Sequence, residues 1–145
     1  MTFLDEIGGR ETVRRVHARF YDSVFAHPWF RKIFPAGAQA RLEDQQTDFM
    51  TQNFGGPPVY RGRTPGTAHP HIMITDEMFD ERVRLLSNAI RRAGVSDDHR
   101  EQWLRIDEAF RGRLVKGSVD ECKGRYNNDP IIDVPNPASP RRRAS

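Results

Sequence analysis

The sequence has only one cysteine, Cys122, among its 145 residues. A single thiol excludes an internal disulfide framework and fits a reducing compartment. The chain also lacks an apolar run long enough to cross a bilayer. Its N-terminus lacks the basic and apolar regions of a secretory signal. Together these absences predict a cytoplasmic protein without a membrane span.

A large excess of charge is also lacking, because the formal net charge is only +3. Arg141, Arg142 and Arg143 account for that excess near the C-terminus, so the rest of the chain is close to neutral. A neutral body argues against a dedicated nucleic-acid surface. We interpret the three arginines as a solvated tail, with a weak interaction arm as the alternative.

The familiar catalytic and metal-binding motifs are missing as well. No glycine-rich phosphate loop, Ser-His-Asp arrangement or Cys-His pair can be recognised. Of the five histidines, only His69 and His71 lie close together, and the cysteines or one-turn histidine pairs of a zinc site are absent. Taken alone, each histidine is more often structural than a ligand.

Helical periodicity is present along most of the chain. Five helices around one core are predicted, and no segment alternates as a strand, so the fold class is all-α. The predicted helices cover Thr2–Ile7, a segment ending near His27, about Ala38 to Asn53, Thr75 or Asp76 to Gly94, and Ser96 or Asp97 to about Leu114. Residues 1–117 form the predicted domain. Residues 118–145 are a C-terminal extension, predicted to be extended or disordered because Asn127 to Ser145 carries four prolines and little periodicity.

A long Gly/Pro-rich loop separates the third and fourth predicted helices. It begins at Gly55-Gly56-Pro57 and contains both His69 and His71. Loops of this length inside a compact domain are uncommon and usually functional. We interpret the loop as wrapping a ligand and presenting His69 to it.

Two polar residues fall on apolar helix faces. Gln46 lies on the apolar stripe of the third helix, where it meets a polar neighbour such as Tyr21, meets a polar ligand, or points out at the edge. Arg82 lies between Phe79 and Leu86 on the fourth helix. Its guanidinium must find a carboxylate, a phosphate or the water of a cavity.

In their order and spacing, these residues resemble the truncated haemoglobins, and group I in particular. The resemblance runs from about Phe3 to Leu114 and implies a two-over-two helical sandwich with a long loop before the proximal histidine. The residues that carry it are Gly8-Gly9, Phe20-Tyr21, Phe34, Leu42, Gln46, Gly55-Gly56-Pro57, Tyr60-Arg61-Gly62, Ala68-His69, Ile74-Thr75, Phe79-Asp80 and Ala93-Gly94-Val95.

The resemblance implies a haem b cofactor whose iron is bound by His69. Tyr21 and Gln46 match the group I pair that donates hydrogen bonds to bound dioxygen. Phe34 matches the aromatic residue that stacks on the porphyrin, and Leu42 takes the place of the distal histidine of familiar globins. The other expected haem contacts are Tyr60, His71, Phe79 and Arg82, with Arg61 and Arg63 as further candidates for the propionates.

Arg82 departs from the pattern, because the resembled proteins carry an apolar residue or a tryptophan there. Its side chain either extends to a haem propionate or solvent, or enters the distal pocket as a cationic donor. We favour the first arrangement, because a charge buried beside the haem would be costly.

The function implied by the resemblance is reversible binding of dioxygen, carbon monoxide and nitric oxide. Oxygen transport, and nitric oxide dioxygenation with an unidentified reductase, are the roles expected of such a protein. A haem peroxidase or haem-based sensor that uses Arg82 or the tail is the first alternative. A haem-free helical interaction module is the second.

Overall fold

The structure, a computed structural model, describes residues 1–62, 69–124 and 130–138. Within these ranges it contains six α-helices and no strand, so the predicted all-α fold is confirmed. The helices are α1 (Phe3–Glu6), α2 (Gly9–Ala26), α3 (Gln39–Asn53), α4 (Asp76–Arg92), α5 (Asp97–Glu108) and α6 (Arg111–Leu114), with short 3₁₀ turns at Phe30–Lys32 and Val119–Glu121. None of the helices in the described ranges is long and apolar enough to span a membrane.

The helix ends follow from local chemistry that the sequence displays. The Thr75 side chain accepts a hydrogen bond from the Met78 amide at the start of α4, and Ser96 does the same for α5. Gly94 follows α4 at a φ of 85°, a left-handed conformation that glycine adopts without strain. Capping residues therefore set the bounds of α4 and the start of α5 where the sequence predicts them.

The last predicted helix is broken in the structure. It ends at Glu108 and resumes at Arg111 as the single turn α6. Arg111 forms ion pairs with Glu108 and with Asp76 and Asp80 on α4. Its guanidinium carbon also lies 4.4 Å from the centre of the Phe79 ring. These contacts with α4 hold the chain at the break, and periodicity alone does not reveal them.

The core forms where α2 packs against α3 and α4, and α4 packs against α5. Its fully buried side chains include Val16, Met50, Ile90 and Trp103. On α3 the apolar stripe divides into two sets of residues. Met50 and Phe54 are buried, whereas Leu42, Gln46 and Phe49 are half-buried. The half-buried set lines a cavity described below, so one apolar stripe serves both the core and the cavity.

A buried hydrogen bond joins α2 to α3. His17 Nδ1 lies 2.9 Å from Thr47 Oγ1, and both residues are almost fully buried. Burial, with a smaller contribution from the positive charge of Arg82, lowers the pKa of His17 to about 3. His17 is therefore neutral in the folded protein at physiological pH.

The pKa of His17 makes stability depend on pH. Between the unfolded pKa of about 6.5 and the folded pKa of about 3, the unfolded chain binds the extra proton, so stability falls as the pH is lowered. We expect His17 to account for a loss of about 2–3 kcal/mol between pH 7 and pH 4.5, because one unit of pKa difference is worth about 1.4 kcal/mol. Urea unfolding at both pH values measures it. Between the same two pH values, the double variant His17→Leu/Thr47→Val should lose that much less free energy of unfolding than the wild type. An equal loss in the two proteins would show that His17 is not the cause.

Part of the C-terminal extension lies along the segment that follows His69. Ile132 and Ile72 form a parallel bridge, with Ile132 N donating to His71 O and Met73 N donating to Ile132 O, both at 2.8 Å. The buried Trp29 ring donates from Nε1 to Val134 O at 2.7 Å. Residues 130–138 thus pack against the helical body. Residues 125–129 and 139–145, which include the three terminal arginines, lie outside the described residues.

Candidate functional site

One cavity of about 450 Å³ lies beside α2, α3 and α4. Its volume is within the range of protein sites that bind small molecules and cofactors. Nine of the predicted site residues line it: Tyr21, Phe34, Leu42, Gln46, Tyr60, His69, His71, Phe79 and Arg82. The structure therefore brings together residues that are up to 61 positions apart in the sequence (82 − 21).

Tyr21 is presented to the cavity by α2 and is only 8% exposed. Its ring packs edge-on against Phe20 and His17, with centroids 5.0 and 6.4 Å away. Burial raises the pKa of Tyr21 to about 12, although the positive charge of Arg82 opposes the shift. The phenol is therefore a neutral hydrogen-bond donor at any physiological pH.

Gln46 lines the same cavity from α3 and is half-buried. Of the three alternatives left open by the sequence, a direct bond to Tyr21 is not formed. Within the described ranges, neither the Tyr21 hydroxyl nor the Gln46 amide is hydrogen-bonded to another protein group. Two neutral donors on the wall of one cavity are thus available to a ligand.

His69 and His71 both line the cavity, the first half-buried and the second buried. The residues just before His69, numbers 63–68, lie outside the described residues, and these include Arg63 and Ala68. The cavity alone does not distinguish the two imidazoles as iron ligands. The assignment of His69 rests on its match to the globin pattern.

Arg82 lines the cavity and forms a buried ion pair with Asp107 on α5. Its Nη1 and Nη2 lie 2.7 and 2.9 Å from the two carboxylate oxygens. The guanidinium carbon is also 5.6 Å from the centre of the Phe20 ring and 5.3 Å from that of Phe79. Of the partners expected for the Arg82 guanidinium, the structure supplies a carboxylate, that of Asp107.

Sequence reasoning missed Asp107. Its position four residues after Trp103 places Asp107 on the inward face of α5, and this spacing could have revealed it. The Asp107 side chain is 2% exposed, whereas that of Arg82 is 25% exposed. The two charges are therefore matched across the α4–α5 contact, with the carboxylate deeper.

Removal of Asp107 should destabilise the protein strongly. We expect Asp107→Ala to lower the free energy of unfolding by about 3–5 kcal/mol, because it leaves the Arg82 guanidinium without its buried partner. The charge-free double variant Arg82→Leu/Asp107→Leu should recover most of that loss. Urea unfolding at equal haem loading tests both. Equal losses in the single and double variants would show that the lost packing, and not the unpaired charge, is the cause.

The rim of the cavity carries a cation that sequence reasoning also missed. Arg41 is exposed and lines the cavity, and within the described ranges it forms no ion pair. Tyr60 lies nearby on the lining, half-buried with its ring centroid 5.0 Å from that of Phe49. Arg61, a predicted propionate contact, is exposed and is not among the lining residues. Nothing in the local sequence separates Arg41 from other surface arginines.

The bacterial-like globin family model matches residues 2–115, most of the chain. The chain therefore belongs to the bacterial-like globin family. Within it the protein is a truncated globin, nearest group 1, as the sequence predicted.

Relatives and solved structures agree with this assignment. A group 1 truncated hemoglobin of Tetrahymena thermophila is 28% identical over 124 residues, which cover 86% of this chain and 96% of that protein. The group 2 truncated hemoglobin YjbI of Bacillus subtilis is 30% identical over 100 residues, 64% of this chain and 73% of that protein. The ferric truncated hemoglobin of Tetrahymena pyriformis superimposes with a TM-score of 0.74 at 25% identity, covering 79% of this chain and 98% of that one. The hemoglobin of Chloroflexus aurantiacus gives 0.71 at 29% identity, covering 80% and 99%.

Membership of this family implies a haem cofactor that binds small diatomic ligands. The residues of the cavity fit that group. Aromatic and aliphatic side chains such as Phe34, Leu42 and Phe79 supply an apolar slot, and His69 supplies an imidazole. The rim arginine Arg41 suits the carboxylates of a porphyrin edge.

Proposed function

We propose that this protein binds dioxygen, carbon monoxide and nitric oxide reversibly at the iron of a haem b held by His69. One observation carries the proposal. A single cavity in a truncated globin fold is lined by an imidazole and by two neutral donors, Tyr21 and Gln46, that no described protein group engages. A packed core alone does not require these three residues to meet.

When bound, haem supplies the ferrous iron that takes up the ligand. The protein supplies the surroundings. The Tyr21 hydroxyl and the Gln46 amide would donate hydrogen bonds to a ligand that carries partial negative charge, such as dioxygen, and so would slow its release. Because the pKa of Tyr21 is about 12, the phenol keeps its proton throughout. Leu42 and Phe34 line the slot with apolar side chains.

Nitric oxide dioxygenation is the reaction that this pocket supports best. Nitric oxide combines with dioxygen and one electron to give nitrate, and a separate reductase must supply that electron. By slowing the release of dioxygen, Tyr21 and Gln46 would leave time for nitric oxide to enter the apolar slot. Oxygen transport and a cytoplasmic location are the parts of the proposal that rest on the sequence.

The ion pair of Arg82 favours gas binding over the peroxidase alternative. Both η nitrogens of Arg82 are bonded to Asp107, so the pair presents little net charge to the cavity. A cationic donor that pulls on peroxide would have to leave a buried carboxylate unpaired, which is costly. A haem-based sensor would instead need a partner that responds to the ligand.

Visible absorption spectra of the haem-reconstituted protein test the proposal. We expect a strong Soret band that shifts when the ferrous protein takes up carbon monoxide. We also expect a complex of the ferrous protein with dioxygen whose lifetime is longer than the mixing time. Added nitric oxide should then yield one nitrate per complex consumed. The absence of a Soret band after reconstitution would reject haem binding and favour the helical interaction module. Faster turnover of peroxide than of nitric oxide would favour the peroxidase.

A further inference from the structure

The Lys116 side chain bonds three backbone carbonyl oxygens. Its Nζ lies 3.1 Å from His69 O, 2.7 Å from Ile72 O and 3.1 Å from Leu114 O. Its backbone amide donates to Ile74 O at 2.8 Å. Lys116, two residues after the end of α6, therefore links the helical body to the segment that begins with His69.

Residues further along the chain bond two more carbonyls of this segment. Lys123 N donates to Pro70 O and Ile132 N donates to His71 O, both at 2.8 Å. Five carbonyls, those of residues 69, 70, 71, 72 and 74, thus accept hydrogen bonds from residues 116–132. A segment with neither helix nor strand of its own must satisfy its backbone elsewhere, and here Lys116 and the C-terminal extension do so.

The extension is itself fixed at its far end. Trp29 Nε1 donates to Val134 O at 2.7 Å, and Asn136 Nδ2 donates to Glu77 Oε1 at 2.6 Å. Pro130 and Ile132 also line the cavity. The extension therefore lies between the helical body and the His69 segment, and completes part of the cavity wall.

Lys116, Lys123, Ile132, Val134 and Asn136, which make these contacts with the helical body and the His69 segment, all follow the part of the chain that matches the globin family, which ends at residue 115. We propose that residues 116–124 and 130–136, here called the C-terminal brace, position His69 for iron binding, with Lys116 as the principal positioning residue. The inference rests on the proposed role of His69 as the iron ligand. It adds a support for that ligand from residues that follow the family match.

The physical argument concerns the tolerance of a metal site. An iron ligand on a loop must be held within about 0.5 Å by its surroundings, and groups that orient a metal ligand commonly change metal affinity about 10- to 100-fold. Lys116 acts on the backbone of the ligand residue itself and on a carbonyl three residues later. Without the ammonium, the carbonyl of the buried Ile72 loses its donor, and the segment must shift to regain one.

The test compares Lys116→Met with Lys123→Met in the full-length haem protein. Both changes remove one lysine charge from the brace. The bond of Lys123 to Pro70 O, however, comes from its backbone amide and survives the substitution. In Lys116→Met we expect the iron–histidine stretching band of the ferrous protein to shift and broaden in resonance Raman spectra. Haem transfer to an apoglobin acceptor should accelerate about tenfold or more, the range for groups that orient a metal ligand. Lys123→Met should match the wild type in both measurements.

Unchanged band and transfer rate in Lys116→Met would overturn the proposal, as would equal changes in the two variants. If Lys116→Met does not fold, Ile132→Pro tests the same proposal, because proline removes the amide that donates to His71 O. Ile131→Pro is its control, since Ile131 is exposed and its amide makes no hydrogen bond within the described ranges. Wild-type protein without an iron–histidine band would reject His69 ligation itself, which separates failure of the proposed function from failure of the brace.

Discussion

Replacement of His69 by glycine is expected to abolish tight haem binding. Removal of an orienting group in a metal site costs about 10- to 100-fold in affinity, so loss of the iron ligand itself should cost more than about 100-fold. The ferrous carbon monoxide spectrum should lose its normal Soret band, and haem should pass quickly to an apoglobin acceptor. Titration of the apoprotein with haem, followed in the Soret region, measures the affinity.

His71→Gly is the matched control, because His71 lines the same cavity two residues away. It should keep haem and the carbon monoxide spectrum. Added imidazole should restore the Soret band of His69→Gly by occupying the space of the missing ring. The reverse result, with haem lost in His71→Gly and kept in His69→Gly, would move the iron ligand to His71.

Tyr21→Phe is expected to release dioxygen about 10- to 150-fold faster, because hydrogen bonds to charged acceptors are worth about 1.5–3 kcal/mol. The ring remains, so packing against Phe20 and His17 is preserved. Carbon monoxide carries little charge, and its release should change far less. Stopped-flow replacement of dioxygen by carbon monoxide gives the first rate, and replacement of carbon monoxide by nitric oxide gives the second.

The rate of dioxygen release should also be independent of pH between about pH 5 and pH 10. Tyr21, with a pKa of about 12, stays protonated across this range, and His17, with a pKa of about 3, stays neutral.

Tyr60→Phe, at the rim of the cavity, is the control for Tyr21→Phe and should leave the rate of dioxygen release unchanged. Equal acceleration in Tyr21→Phe and Tyr60→Phe would point to a general opening of the pocket instead of a lost hydrogen bond.

Much of the fold could be predicted from the sequence because its signals are local. The caps at Thr75 and Ser96 and the glycine at position 94 mark helix ends within a few residues of the groups they satisfy. The burial of individual residues on the apolar face of α3 could not be predicted in this way. An apolar stripe that meets a core has the same periodicity as one that meets a cavity, so Leu42 and Met50 look equivalent in the sequence although only Met50 is buried.

The candidate site was predictable only where a family pattern supplied distant partners. Tyr21, Gln46 and His69 match that pattern and line one cavity, whereas Asp107 and Lys116 match nothing in it. Their partners are 25 and 44 to 47 residues away, a separation that local periodicity does not register. A lysine just before a proline-containing tail resembles any solvated lysine until the tertiary structure places three carbonyls around it.

The buried pair of Arg82 and Asp107 also constrains the evolutionary history of the pocket. The resemblance implies an apolar residue or a tryptophan where Arg82 stands, so a change between that state and the present one must alter two positions. Loss of the arginine first would strand a carboxylate that is 2% exposed, whereas loss of the aspartate first leaves a guanidinium that is 25% exposed and borders a cavity. The second order costs less stability. Intermediates in this branch of the family should therefore retain the arginine after the acid has gone.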